Sequence, residues 1–152
     1  SGIKKFAAFG TCGRLDKNIA KNTIILPTAA YREEGTSYHY LPDSDEIEVD
    51  KSLLQKAKSV FDKTILTVIE GKIWTTDAVY RETYGKVKLM QERGCLGVDM
   101  KLSALLALAK YRDVKFFQFL IGDDVVGGEI VSPLERNNQE IFNTAISLLL
   151  NI

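Results

Sequence analysis

A polar trio, Asp99, Met100 and Lys101, separates a short apolar run from a longer one that begins at Leu102. Apart from Ser103, the residues from Leu102 to Ala109 are all leucine or alanine, which predicts an apolar helix packed on a sheet. The preceding run is typical of a short buried strand. Since ligands of open α/β sheets bind at the carboxyl ends of strands, the sequence predicts a binding site at this strand-to-helix junction.

A second candidate site follows the first predicted strand, Ile3 to Phe9. The next residues are Gly10, Thr11, Cys12 and Gly13, a pattern that predicts a tight turn. Glycine lets consecutive backbone amides converge on an anion, so this turn could bind phosphate. The same spacing also suits an ordinary turn without a ligand, and both interpretations stay open.

Polar side chains also follow a later predicted strand. Hydroxyls, a carboxylate, the phenol of Tyr80 and the guanidinium of Arg81 crowd into the residues Thr75 to Thr83, a set that could bind a polar planar ligand. In the alternative interpretation, Thr76 or Asp77 caps a short helical turn and Arg81 forms an ion pair.

Two adjacent acids, Asp123 and Asp124, come after the predicted buried strand Val114 to Ile121 and after Gly122. A carboxyl group whose pKa is raised by burial can act as a general acid. Asp beside Gly is equally common in turns, so this pattern alone does not decide between a general acid and an ordinary turn.

Composition excludes several classes of function. Lys plus Arg (20) equals Asp plus Glu (20), so no overall field favours nucleic acid or an anionic membrane. No signal peptide or membrane-spanning segment is recognisable. The two cysteines, Cys12 and Cys95, are expected to be free thiols in the cytoplasm. With the single histidine, His39, and no clustered Cys or His, a metal site is not expected.

Strands alternate with helices along the whole chain, which predicts one α/β domain with three layers over residues 1–152. Pro27 indicates an edge position or a bulge, Gly71 a break in its strand, and Asp50 the N-cap of a helix. The other predicted elements are a strand over Thr23–Arg32, a helix over Lys51–Asp62, a strand over Ile65–Trp74, and helices over Tyr84–Arg93 and Ile141–Leu150.

Four stretches together resemble the nucleoside phosphorylases of the uridine phosphorylase and hexameric purine phosphorylase type. They are FGTCG at Phe9–Gly13, REEGTSYHYLP at Arg32–Pro42, IWTTDAVYRET at Ile73–Thr83 and GCLGVDMKLSALLALAKYR at Gly94–Arg112. The resemblance implies a three-layer α/β/α fold with a central mixed sheet. Family members carry further strands and a phosphate loop before the first of these stretches, so we expect an N-terminally truncated relative that holds the carboxyl-terminal portion of the family fold.

The resemblance also implies a reaction and its residues. The family performs phosphorolysis, in which phosphate displaces the base of a nucleoside to give ribose 1-phosphate. By this resemblance the catalytic acid that protonates the base is Asp123. The phosphate ligands are Thr11 and Gly10, the ribose ligands Asp99, Met100 and Lys101, and the base contacts Cys12, Gly13, Tyr80 and Arg81.

Two positions depart from the family pattern. An arginine usually precedes the phosphate-binding threonine by three residues, but here the residue is Ala8. Losing one charge-assisted hydrogen bond weakens phosphate binding by about tenfold to a hundredfold. Lys101 replaces the glutamate that accepts from the ribose hydroxyls, and an ammonium can only donate. We therefore expect impaired activity, unless Lys101 reaches phosphate and compensates for Ala8.

The resemblance leaves three readings of the function. The chain is a phosphorylase of nucleoside salvage, a hydrolase of the same fold, or a catalytically silent module for nucleoside binding or assembly. It implies nucleoside and phosphate as partners, with no cofactor beyond phosphate as co-substrate, and a homo-oligomer. It does not choose between purine and pyrimidine bases.

Overall fold

The computed structural model describes residues 2–128 and 138–152. No helix in these ranges is long and apolar enough to cross a membrane. Short 3-10 turns lie at Ser37–His39 and Val79–Arg81. The strands and α-helices are β1 (Lys5–Arg14), β2 (Ile24–Glu33), β3 (Glu46–Glu48), α1 (Lys51–Phe61), β4 (Val68–Thr76), α2 (Tyr84–Glu92), β5 (Cys95–Asp99), α3 (Leu102–Tyr111), β6 (Lys115–Val125) and α4 (Asn138–Asn151).

The strands form one mixed sheet in the order β3-β2-β4-β5-β1-β6. The pairs β1–β6, β2–β4 and β4–β5 are parallel, whereas β1–β5 and β2–β3 are antiparallel. An additional antiparallel pairing of β2 with β6 brings the sheet back onto itself. The mixed sheet expected from the resemblance is therefore confirmed.

Helices cover the sheet on both faces of β6, where successive side chains point in opposite directions. Phe119 packs edge-on against Phe61 of α1, with 5.0 Å between ring centroids, and α4 packs beside α1. Gln118, the residue before Phe119 in β6, instead faces the start of α3 and donates to Asp99 Oδ2 at 3.3 Å. The three-layer prediction is confirmed.

The N-cap prediction for the first helix is also confirmed. Asp50 Oδ1 accepts from the backbone amides of Ser52 at 2.7 Å and Leu53 at 3.1 Å. These bonds satisfy amides that have no partner inside the helix. A second, smaller apolar cluster includes Met90 of α2; its members are Leu15, Trp74, Met90, Cys95 and Val98.

The predicted turn at Gly10–Gly13 is wrong, because β1 continues through it to Arg14. Parallel pairing with β6 runs to Cys12 and, after a register shift, includes Arg14; β5 pairs with Gly13 and Arg14. A Cβ on Gly13 would lie 3.1 Å from Val98 Cγ1, so this glycine permits close strand packing. The late strand likewise continues past Ile121 to Val125.

Two further local predictions are resolved by strand pairing. Pro27 lies in β2 between two partner strands, and the register with β4 shifts between Pro27 and Ala30, which confirms the bulge. Gly71 does not break β4. A Cβ there would lie 2.3 Å from Leu96 Cδ1, so with any larger residue at this position the Leu96 side chain of β5 would have to move.

Candidate functional site

A pocket of 460 Å³ opens where β1, β5 and β6 meet, and it contains most of the predicted site residues. The strand-to-helix junction before α3 forms one wall, and the ends of β1 and β6 form the others. The lining residues are Thr11, Cys12, Gly13, Val79, Glu82, Val98, Asp99, Met100, Lys101, Asp123, Asp124, Val125 and Val126.

The ammonium of Lys101 lies over the backbone of β1. A Cβ built on Gly10 would be 3.2 Å from Lys101 Nζ. Ala8 precedes Gly10 by two residues on the same strand, so both face the side on which the ammonium lies. The lysine therefore places a positive charge on the side of β1 that Ala8 also faces, and Ala8 is the position at which the resemblance implies an arginine.

The carboxylate of Asp99 is bound inside the protein. Its side chain has 0% exposure. It accepts from Thr75 Oγ1 at 2.9 Å, from the Leu102 amide at 3.1 Å and from Gln118 Nε2 at 3.3 Å. Lys101 Nζ lies 3.6 Å from the same carboxylate. Asp99 thus accepts a hydrogen bond from the first amide of α3, and its other hydrogen bonds connect the start of this helix to β4 and β6.

A buried network behind Asp99 fixes the same helix start. Glu34 accepts from Ser103 Oγ at 2.8 Å and from the Ser37 amide at 2.9 Å, while the Ser103 amide donates to Thr75 Oγ1 at 3.2 Å. Burial alone would raise the pKa of Glu34, but the hydrogen bonds from Ser37 and Ser103 outweigh it and hold that pKa below its usual value. No local sequence pattern pointed to Glu34, because its partner Ser103 lies far from it along the chain.

Asp123 and Asp124 share one lysine at the rim of the pocket. Lys21 Nζ lies 2.8 Å from Asp124 Oδ1 and 3.2 Å from Asp123 Oδ1. The hydrogen bond to Asp124 is the main cause of the raised pKa of Lys21, and the bond to Asp123 adds to it. Arg14 holds the backbone here by donating to the Asp123 carbonyl. The sequence does not predict the ion pairs of Lys21, because this residue is far from both acids along the chain.

Two of the residues predicted to contact the base, Tyr80 and Arg81, lie outside the pocket. Tyr80 is 98% exposed and Arg81 is exposed, and neither lines the pocket of this chain; Val79 and Glu82 do. A 3-10 turn has three residues per turn, so residues 79 and 82 share a face. Burial, followed by the charge of Glu33, raises the pKa of Glu82.

The two thiols are protonated and structural. Burial, with a smaller effect of the Asp99 charge, raises the pKa of Cys12 to about 12. Burial likewise raises the pKa of Cys95 to about 11. Neither forms a thiolate nucleophile at neutral pH, so Cys12 serves as an apolar wall. Within the described ranges, no three His, Cys, Asp or Glu side chains are grouped so that they could hold a metal ion.

Several known proteins are similar to this chain in sequence or in fold. The family profile described as "Phosphorylase superfamily" matches residues 1–152. The DeoD-type purine nucleoside phosphorylase of Bacillus cereus (strain ZK / E33L) is 30% identical over 99% of this chain and 64% of its own length. The uridine phosphorylase structure from Vibrio fischeri has a TM-score of 0.82 and 19% identity, over 99% of this chain and 65% of that one.

A third similar structure is an AMP nucleosidase from Bacteroides thetaiotaomicron. It has a TM-score of 0.76 and 22% identity, over 95% of this chain and 58% of that one. The chain thus spans less than two thirds of the length of each of these proteins. Because the profile matches residues 1–152 throughout, this chain belongs to the phosphorylase superfamily.

Proposed function

We propose that the pocket binds a nucleoside and phosphate, and that the protein cleaves the N-glycosidic bond by phosphorolysis to give a free base and ribose 1-phosphate in nucleoside salvage. Family membership supports this reaction class, as do the nucleoside phosphorylases among its relatives. Both purine and pyrimidine phosphorylases occur among them, so the proposal covers both classes of base.

The position of Lys101 carries the proposal. Its ammonium lies over Gly10, and Thr11 lines the same pocket. In this proposal a phosphate in the pocket accepts from the ammonium and from the threonine hydroxyl. A charge-assisted hydrogen bond contributes about 1.5–3 kcal/mol. Lys101 therefore supplies the charge that the family obtains from the arginine missing at position 8.

The remaining residues divide the other tasks of phosphorolysis. As the C1′–N bond breaks, the ribose gains positive charge and the departing base must be protonated or hydrogen-bonded. Asp123 on the rim is the proton donor in this proposal, and Met100, which is 55% exposed, covers the ribose. The ion pair with Lys21 favours the charged form of Asp123, which opposes proton donation and supports a slow reaction. The carboxylate of Asp99 is already engaged in hydrogen bonds inside the protein. Lys101 cannot accept hydrogen bonds from the ribose hydroxyls. We therefore propose a low rate of phosphorolysis.

A base-release assay with uridine and inosine, with and without phosphate, tests the function. We expect slow release that requires phosphate. Lys101→Met should raise the KM for phosphate by about tenfold to a hundredfold, whereas Lys101→Arg should retain most of the affinity. Lys58, which pairs with Glu70 on the surface, provides the control variant Lys58→Met. Unaltered phosphate affinity in Lys101→Met would show that Lys101 is not the phosphate ligand.

A silent nucleoside-binding module is the second candidate, and the internal hydrogen bonds of Asp99 favour it. It predicts nucleoside binding in calorimetry without release of base under either condition. Release without phosphate would instead indicate hydrolysis. We further propose that the protein is a cytoplasmic homo-oligomer that needs no cofactor besides phosphate as co-substrate.

A further inference from the structure

Glu82 differs from the other carboxyl groups that line the pocket. Asp99 is bound inside the protein, and Asp123 and Asp124 pair with Lys21. Among the described residues, by contrast, none donates a hydrogen bond to the carboxyl group of Glu82 or forms an ion pair with it. The carboxyl group of Glu82 is therefore available to a molecule bound in the pocket.

Backbone hydrogen bonds fix Glu82 between the 3-10 turn and α2. Its amide donates to the Val79 carbonyl at 3.2 Å, and the Thr83 amide donates to the Arg81 carbonyl at 2.8 Å. Helix α2 begins at the next residue, Tyr84. Glu82 is half-buried and lines the pocket together with Val79, so this segment presents an apolar side chain and a carboxyl group to the same cavity.

A base in the pocket comes close to the wall that Val79 and Glu82 form. By the resemblance the base contacts Cys12 and Gly13, which line the same pocket. A sphere of 460 Å³ has a radius of about 5 Å, and pockets enclose most of the surface of a bound ligand. A planar base that fills this space therefore meets more than one wall, including the one with the carboxyl group of Glu82.

The surroundings of Glu82 favour its protonated form. Burial is the main cause of its raised pKa, and the charge of Glu33 adds to it. Glu33, at the end of β2, is held in place by Trp74, whose Nε1 donates to it at 2.7 Å, and by an ion pair with Lys86 of α2. The charged groups on the other walls of the pocket are Asp99, Lys101, Asp123 and Asp124. Glu82 is therefore protonated to a larger extent at neutral pH than an ordinary glutamate.

We propose that Glu82, rather than Asp123 alone, protonates the departing base; this inference rests on the proposed phosphorolysis. A phosphate oxygen forms the new bond to C1′ while the C1′–N bond breaks and leaves its electron pair on the base. The proton moves from Glu82 to that base, and solvent returns a proton to the carboxylate after the products leave. The ion pair with Lys21 favours the charged form of Asp123, whereas no cation pairs with Glu82 among the described residues. Glu82 is thus the better proton donor of the two.

Matched substrates separate acid catalysis from binding. General acid catalysis contributes about 10²–10⁴-fold, so Glu82→Gln should lower kcat for inosine by about a hundredfold or more and change KM little. The base of 7-methylinosine already carries a positive charge and leaves without a proton, so the variant should cleave this nucleoside nearly as fast as the native chain does. Uridine and 5-fluorouridine form a second pair, since fluorine makes the departing uracil less basic. Glu92→Gln, at an exposed residue of α2, is the matched control and should change neither rate.

The pH profile is a measurement that a merely structural role would not alter. A proton donor must be protonated to act, so kcat of the native chain for inosine should fall as the pH rises through the pKa of Glu82. Glu82→Gln should lose this decline. Glu33→Gln removes the nearby charge that raises the pKa of Glu82, so in this variant the decline should begin at a lower pH.

Three results would overturn the role of Glu82 while leaving phosphorolysis intact. They are an unchanged kcat for inosine in Glu82→Gln, an equal loss for both members of a substrate pair, and a selective loss for inosine in Asp123→Asn instead of Glu82→Gln. If the native chain releases base from none of the four nucleosides, the proposed phosphorolysis itself is wrong, and the role of Glu82 fails with it.

Discussion

Replacing Asp99 by alanine distinguishes a structural role from a ribose-binding role for this residue. The carboxylate lies at the junction to which the resemblance assigns ribose binding, yet its side chain has 0% exposure. The structural interpretation predicts a large loss of stability. A ribose-binding role predicts a loss of nucleoside affinity with little loss of stability.

The expected cost follows from three hydrogen bonds. Loss of the bond from the Leu102 amide resembles removal of an N-cap, at about 1 kcal/mol. The hydroxyl of Thr75 and the amide of Gln118 would each be left without this acceptor in the interior, at about 1 kcal/mol apiece or more. We therefore expect Asp99→Ala to lower the free energy of unfolding by about 3 kcal/mol, and Tm by about 6–12 °C.

Urea unfolding followed by the fluorescence of the single, buried Trp74 measures this change. Asp62→Ala, at an exposed residue after α1, is the matched control and should change stability by no more than about 0.5 kcal/mol. A cost below about 1 kcal/mol for Asp99→Ala, together with weaker nucleoside binding, would refute the structural role.

Further predictions concern the buried network and the thiols. Glu34→Gln should reduce stability at neutral pH, because Ser103 and Ser37 lose a charged acceptor. The lowered pKa of Glu34 means that its contribution is present above the unfolded pKa of about 4.3 and is lost as pH falls through the folded pKa. Urea midpoints across this acidic range should thus depend less on pH in the variant, and an unchanged slope would contradict the assignment. Cys12 and Cys95 should resist iodoacetamide in the folded protein at about pH 8 and react once it is unfolded; mass spectrometry that finds rapid labelling of native protein would exclude protonated, buried thiols.

Local patterns predicted helices better than strand ends. Helix α3 follows from its continuous leucines and alanines, and the N-cap of α1 follows from Asp50, because both signals act within a few residues. The glycines of Gly10–Gly13 predicted a turn, but pairing with β5 and β6 overrode this preference. The same glycine signal serves turns and close strand packing, so sequence alone could not separate them.

The sequence by itself determined the family and the three-layer architecture, and it pointed to a candidate site at the junction of β5 and α3. These depend on motifs and periodicities that are contiguous along the chain. Only the tertiary structure decided what each side chain contacts. In that structure Asp99 is hydrogen-bonded inside the protein, and the ammonium of Lys101 lies over Gly10. Lys21 forms an ion pair with Asp123, and Tyr80 is exposed outside the pocket. Those outcomes depend on strand register and on residues far apart in the chain, and no local pattern encodes that information.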